Sequence, residues 1–130
     1  MKVGFTGTRQ SMTDLQLTRL RQLLLELSPK EVMHGMCVGS DEQFHKLVRT
    51  MYPDCKIIGF PGTNANRNES IFRANVKVDE IRDEKHYYAR NRDIVDESDF
   101  LIAAPIDMHE VGGTWYTINY AKNITEYKII

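Results

Sequence analysis

Short apolar runs alternate with segments of helical periodicity along nearly the whole chain, and three of the runs end in glycine. That alternation restricts the fold to an α/β layered domain with a mostly parallel sheet of about five strands. The first run covers residues 2–6. Leu17, Leu20, Leu23, Leu24 and Leu27 then follow helical spacing, which predicts a helix over Asp14–Leu27, with cap candidates at 11–14 and a stop at Ser28-Pro29. Glu31–His34 is the second strand. A helix over about 41–51 places Phe44, Leu47, Val48 and Met51 on one face, and residues 55–60 are the third strand. The remainder reads as a helix at Tyr87–Glu97, a strand at Phe100–Ala104, a helix from Gly113 or Thr114 to about residue 123, and a last strand at 127–130.

Ligands in such sheets bind beyond the carboxyl ends of the strands, near a topological switch point. The glycines fall at those ends: Gly7, then Gly35 and Gly39, then Gly112 and Gly113. The last pair follows an apolar strand and opens a helix. That arrangement holds anions well, because unpaired backbone N–H groups and the helix dipole point at the ligand. Arg90 and Arg92 offer countercharge. Residues two apart do not share a helix face, so at most one of them aims at a pocket from within the helix. Spacing favours Arg92, and both remain candidates. Asn91 reads as a cap or a ligand contact, and Arg9 as a ligand contact or a surface arginine. Asp41 either caps its helix or binds ribose hydroxyls. Trp115 is either core or a stacking platform for a base. Tyr87 and Tyr88 are equally open between core, interface and stacking.

Composition narrows the classes. With 130 residues the chain is one domain, 1–130, large enough to form a core without staples. The formal net charge of −1 argues against a dominant nucleic-acid backbone contact. No apolar run approaches the ~18 residues of a membrane span, and residues 1–5 read as a strand rather than a signal peptide. Cys37 and Cys55 are far apart and form no Cys-x-x-Cys pair, which reads as reduced, buried thiols in a cytoplasmic protein, with a disulfide as the minority reading. His34, His45, His86 and His109 show no zinc spacing. No metal and no cofactor is therefore expected. His45 is expected to pack, and His109, just before the glycine pair, to approach ligand.

Residues 63–85 break the pattern. They are polar and charged, and too long for a plain connection. They are expected to form a functional insertion, with a short hairpin, near the site or at a subunit contact, with disorder as the alternative reading.

The ordered set Thr-Gly-Thr-Arg (6–9), His-Gly-x-x-x-Gly-Ser-Asp (34–41), Arg-Asn-Arg-Asp-Ile-Val (90–95), the strand at Phe100–Ala104 and Gly-Gly-Thr-Trp (112–115) resembles the SLOG superfamily. That group includes DNA-processing protein A and the lonely-guy-type phosphoribohydrolases. The match covers almost the whole chain outside 63–85. The resemblance implies a Rossmann-like three-layer domain and a nucleotide pocket. Phosphate contacts would fall at Gly112, Gly113 and Thr114, with Arg90, which the family pattern favours, or Arg92 beside them. The other walls would be Thr6, Gly7, Thr8 and Arg9, and Gly35, Gly39, Ser40 and Asp41. It also implies a homo-oligomer, at least a dimer.

The chain departs from the phosphoribohydrolase motif Pro-Gly-Gly-x-Gly-Thr-x-x-Glu. Val111 replaces the proline, and the glutamate position is Thr117 in one register and Asn119 in the other. Hydrolysis of an N-glycosidic bond needs a carboxylate, so Asp41, Glu42, Asp107 or Glu110 would have to serve. The leading expectation is a binding protein for a nucleotide-derived small molecule: a nucleoside phosphate, an ADP-ribose-like molecule or a cyclic nucleotide signal. The alternative is an N-glycosidase of nucleoside 5′-monophosphates. A single-stranded DNA module is a third reading, disfavoured by the charge.

Overall fold

A computed structural model describes residues 1–63 and 72–130. The elements run β1 (Lys2–Gly7), α1 (Asp14–Leu27), β2 (Glu31–His34), α2 (Ser40–Met51), β3 (Lys56–Gly59), β4 (Gly62–Thr63), β5 (Glu80–Ile81), β6 (Lys85–His86), α3 (Tyr87–Glu97), β7 (Phe100–Ala104), α4 (Gly113–Ala121) and β8 (Glu126–Ile129). α1 starts where its chemistry dictates. Thr13 accepts from the Gln16 N–H at 3.1 Å, and Gln16 returns a bond to the Thr13 N–H at 3.0 Å, a reciprocal capping box.

Six strands form the central sheet in the order β5-β3-β2-β1-β7-β8, and every described pair in it is parallel. The sequence predicted about five strands. The sixth is β5, a two-residue strand from the expected insertion that adds to the β3 edge. Alternation along each strand sorts the core into two layers. Val3, Phe5, Val32, Ile57 and Ile102 face α1 and α2, where Leu20, Leu24, Phe44 and Val48 are fully buried. Met33, Ile58, Leu101 and Ala103 face α3 and α4, where Ile94, Val95, Ile118 and Ala121 close the other side. The result is a Rossmann-like three-layer sandwich, as expected. Each fully buried Leu or Phe contributes about 1.5–3 kcal/mol to it.

From β1 the chain moves outward through β2 to β3, then crosses back to β7 on the other side of β1. The switch point therefore lies between β1 and β7. Their carboxyl ends, at Gly7 and Ala104, sit side by side in register.

Part of the insertion, residues 64–71, lies outside the described residues. The rest forms no hairpin of its own among the described residues. β4 pairs in parallel with β6. Residues 72–74 lie against the loop after β2, with Val38 N–H donating to Phe72 O at 2.8 Å and Ala74 N–H to Met36 O at 2.9 Å.

Candidate functional site

A cavity of about 510 Å³ opens at the switch point, within the range of small-molecule sites. Three loops and one helix face build it: the turn after β1, the glycine loop after β2, the first turns of α3, and the loop that enters α4.

Of the residues singled out from sequence, Thr6, Gly7, Thr8, Arg9, Gly35, Asp41, Arg90, Asn91, Gly112, Gly113 and Thr114 line this cavity. Four do not. Gly39 is the N-cap of α2 and packs its α-carbon against the Arg9 backbone. Ser40 is buried and ties the first loop to α2, its hydroxyl donating to Gln10 O at 2.9 Å and its N–H to Thr8 O at 3.1 Å. Trp115 is in the core, its indole N–H donating to Asp107 O at 3.1 Å, which answers the question between core and platform. Arg92 turns away and donates to the Tyr116 hydroxyl at 2.6 Å.

Helical spacing explains the different fates of the two arginines. Tyr87, Arg90, Asn91 and Ile94 stand at i, i+3, i+4 and i+7, on the one face of α3 turned to the cavity. Arg92 falls off that stripe. Arg90 is 6 % exposed. Its Nη1 donates to Gly35 O at 2.7 Å and Phe60 O at 2.8 Å, and its Nε to Asn91 Oδ1 at 2.7 Å. The guanidinium is thus clamped by neutral acceptors and forms no ion pair among the described residues, while its charge acts on the neighbouring Asp41 carboxyl.

Asp41 stands next to it. Gly35 must be glycine here: a methyl group on its α-carbon would lie 2.8 Å from Arg90 Cζ and 3.0 Å from Asp41 Oδ2. The Cys37 N–H donates to Asp41 Oδ2 at 3.2 Å. Asp41 lies in the first turn of α2 but caps nothing there, since the N-cap is Gly39. Burial pushes its carboxyl up to about 6, against the opposing pull of the Arg90 charge and the N–H groups of Cys37 and Gly35. Burial likewise raises the Cys37 thiol, so the wall beside Asp41 holds a neutral sulfur.

At the mouth, Arg9 Nη2 donates to the Tyr87 hydroxyl at 3.3 Å, and the guanidinium lies 3.7 Å from the centroid of the Phe72 ring. Phe72, from the insertion, thereby reaches the site. The opposite side is Gly112, the N-cap of α4, with φ +99°. That left-handed geometry, with no cap side chain, leaves the N–H groups of the first turn of α4 uncovered. A methyl placed on Gly113 would lie 3.9 Å from Asn91 Nδ2, so α3 and α4 meet at the cavity wall.

Sequence reasoning missed several lining residues, among them Gln10, Cys37, His86, Ile106 and Val111. His86 was the most legible, because it is the residue before α3 and its Nδ1 accepts the Tyr88 N–H at 3.3 Å as a cap. His109, expected near ligand, is exposed and outside the cavity lining. His45 is packed as expected, 3.0 Å from the buried His34. Both cysteines are free. Cys55 is buried and Cys37 only half-buried. Among the described residues no three His, Cys, Asp or Glu side chains cluster as a metal would require, and no helix is long and apolar enough to cross a membrane.

No protein-family model and no curated protein matches the sequence. The fold is similar to that of TM1055, a structural-genomics target with an X-ray structure. The TM-score is 0.58 at 19% identity, covering 94% of this chain and 68% of that one. At that identity the likeness establishes the architecture alone: a Rossmann-like α/β domain with a parallel central sheet.

Proposed function

We propose that the protein binds a nucleotide-derived small molecule carrying at least one phosphate, in the cavity at the switch point. One observation carries this reading: the cavity brings the Arg9 guanidinium together with the first turn of α4, whose Gly112 N-cap offers no capping side chain. Backbone N–H groups at a helix start and a guanidinium are both suited to a phosphate. Half-buried Tyr87 and exposed Tyr88 supply aromatic surface for a base. The motif order that resembles the SLOG superfamily supports the same cargo.

Calorimetric titration against a panel of nucleoside mono- and diphosphates, ADP-ribose and cyclic nucleotides tests it. Saturable heat with at least one of them is expected, and lost in Arg9→Ala. No heat and no thermal shift with any phosphate-bearing ligand would refute it.

Hydrolysis of a nucleoside monophosphate is favoured by one observation, the buried Asp41 carboxyl poised near neutral pH inside the cavity. Of the four carboxylates that could stand in for the missing glutamate, only Asp41 lines the cavity. Thr117 donates its hydroxyl to Gly113 O at 2.8 Å, and Asn119 is exposed. Chromatography after incubation with nucleoside monophosphates decides this: free base supports the hydrolase, and its absence at high protein concentration leaves binding alone. Assembly into at least a dimer belongs to the same proposal, supported by exposed Ile106, Met108 and Val111 beside the cavity mouth.

A further inference from the structure

Arg90 and Asp41 flank Gly35 at the inner end of the cavity, yet they form no ion pair with each other. That end is poorly suited to a phosphate, because the carboxylate repels an anion that the guanidinium would attract. It suits a group that donates and accepts at once. Of the five N–H groups of Arg90, three are spent on Gly35 O, Phe60 O and Asn91 Oδ1 and one on the Cys37 side chain, leaving one on Nη2 to donate. The Asp41 carboxylate is held by the N–H groups of Cys37 and Gly35, leaving further lone pairs to accept. Both side chains are more than nine-tenths buried and held by backbone, so the donor and the acceptor are fixed before any ligand arrives.

We infer that Asp41 and Arg90 form a subsite for the vicinal hydroxyls of a ribose, and that the protein selects ribonucleotides over 2′-deoxyribonucleotides. The inference rests on the nucleotide reading above. In this arrangement Asp41 accepts from one or both hydroxyls, Arg90 donates to one of them, and the phosphate lies toward Arg9 and the first turn of α4. A carboxylate that takes ribose hydroxyls at the edge of a parallel sheet is a general solution in dinucleotide folds. Here it would come from the first turn of α2. A site whose buried polar groups are matched to a hydroxyl rejects the analogue lacking it, since those groups are then left unpaired.

The test is calorimetric titration of the full chain with the four ribonucleoside 5′-monophosphates and their 2′-deoxy counterparts. The pair that binds is repeated on Asp41→Ala and Asp41→Asn, with a thermal melt of each to establish folding. The wild type is expected to prefer the ribonucleotide by about tenfold or more. The preference should collapse to within about threefold in Asp41→Ala and fall to an intermediate value in Asp41→Asn, which keeps an acceptor for the Cys37 N–H. If Asp41→Ala does not fold, the Asp41→Asn ratio decides. A merely structural aspartate would weaken both nucleotides together and leave their ratio unchanged. Equal affinity for the two sugars in the wild type, or a preference that survives in the folded variants, overturns the subsite while leaving the nucleotide reading intact. Binding of none of the eight overturns the subsite as well. The nucleotide reading then falls only if the wider panel also fails.

Discussion

Arg90 and Arg92 have the same chemistry two residues apart, and the fold gives them different work. Arg90 holds two buried carbonyls, Gly35 O and Phe60 O. Arg90→Ala strands both, and is expected to cost about 3 kcal/mol of stability as well as ligand affinity. Arg92→Ala loses one bond to Tyr116. It should shift the melting temperature little and leave nucleotide affinity within twofold. Thermal melts and titrations of the two variants side by side check this. Equal losses of affinity in both would contradict the assignment. Asp41 makes a second prediction at this scale. Its folded-state pKa is raised from 3.8 to about 6, so the native state holds a proton between those values that the unfolded state has released. Its contribution to stability is present below pH 3.8 and lost as pH rises through about 6. Asp41→Asn should therefore be more stable than wild type at pH 8, by up to roughly 3 kcal/mol, and nearly equal to it at pH 3.5. Denaturant titrations at the two pH values measure the difference. A position that loses stability in exchange for a charge inside a cavity is typical of a binding site. The sequence placed both residues at the correct loop and helix. It could not fix which arginine turned inward, because the choice depends on how α3 lies on the sheet. Once the helix start at Tyr87 is fixed, the i, i+3, i+4, i+7 stripe makes the choice.

Elements with strong periodicity and caps were legible to the residue, and weakly periodic ones were not. α1, β2, α3 and β7 occupy the spans expected from sequence. Their boundaries carry chemical signals, such as the Thr13–Gln16 box and the Ser28-Pro29 stop. β5 and β6 are two residues long and have no alternation to read; they exist because the insertion passes an available sheet edge and returns beside β4. The same logic gives two contrasting substitutions. Thr13→Ala removes the α1 cap far from the cavity, and should cost about 1 kcal/mol in denaturant unfolding with nucleotide affinity unchanged. Gly112→Ala meets no atom within 4 Å, but its φ of +99° disfavours any side chain. Re-aiming the entry to α4 should cost about 1–2 kcal/mol and weaken nucleotide binding severalfold. If Thr13→Ala weakens binding and Gly112→Ala does not, the anion site is misplaced.

Over the whole molecule, two buried groups oppose each other as pH falls. His34 is fully buried and its pKa is lowered to about 3, first by burial and then by His45, Arg90 and Arg49. Its neutral form supports the fold fully above about 6.5, and that support is lost as pH drops toward 3, because the unfolded state takes up the proton first. Between about pH 6 and 4 the His34 loss and the Asp41 gain nearly cancel, so the pair gives the wild type only a shallow fall between pH 6.5 and 4. In Asp41→Asn, which lacks the offsetting uptake, the fall should be steeper. A flat melting profile across that range in both proteins would contradict the assignment of His34 as a buried neutral base. The strand order brings three glycine junctions from distant parts of the sequence to one edge, and the architecture was readable because each junction announces itself locally. The insertion was expected near the site or at a subunit contact, but its particular contact, Phe72 on Arg9, was not readable, since it depends on tertiary packing across the cavity mouth. The most direct test of the central claim is amide chemical-shift mapping of the ¹⁵N-labelled protein during titration with the tightest-binding nucleotide of the panel. The largest shifts are expected at residues 6–10, 35–41 and 112–114, on the three loops around the cavity. Saturable shifts confined to other surfaces, or no shifts at millimolar nucleotide, would contradict the account.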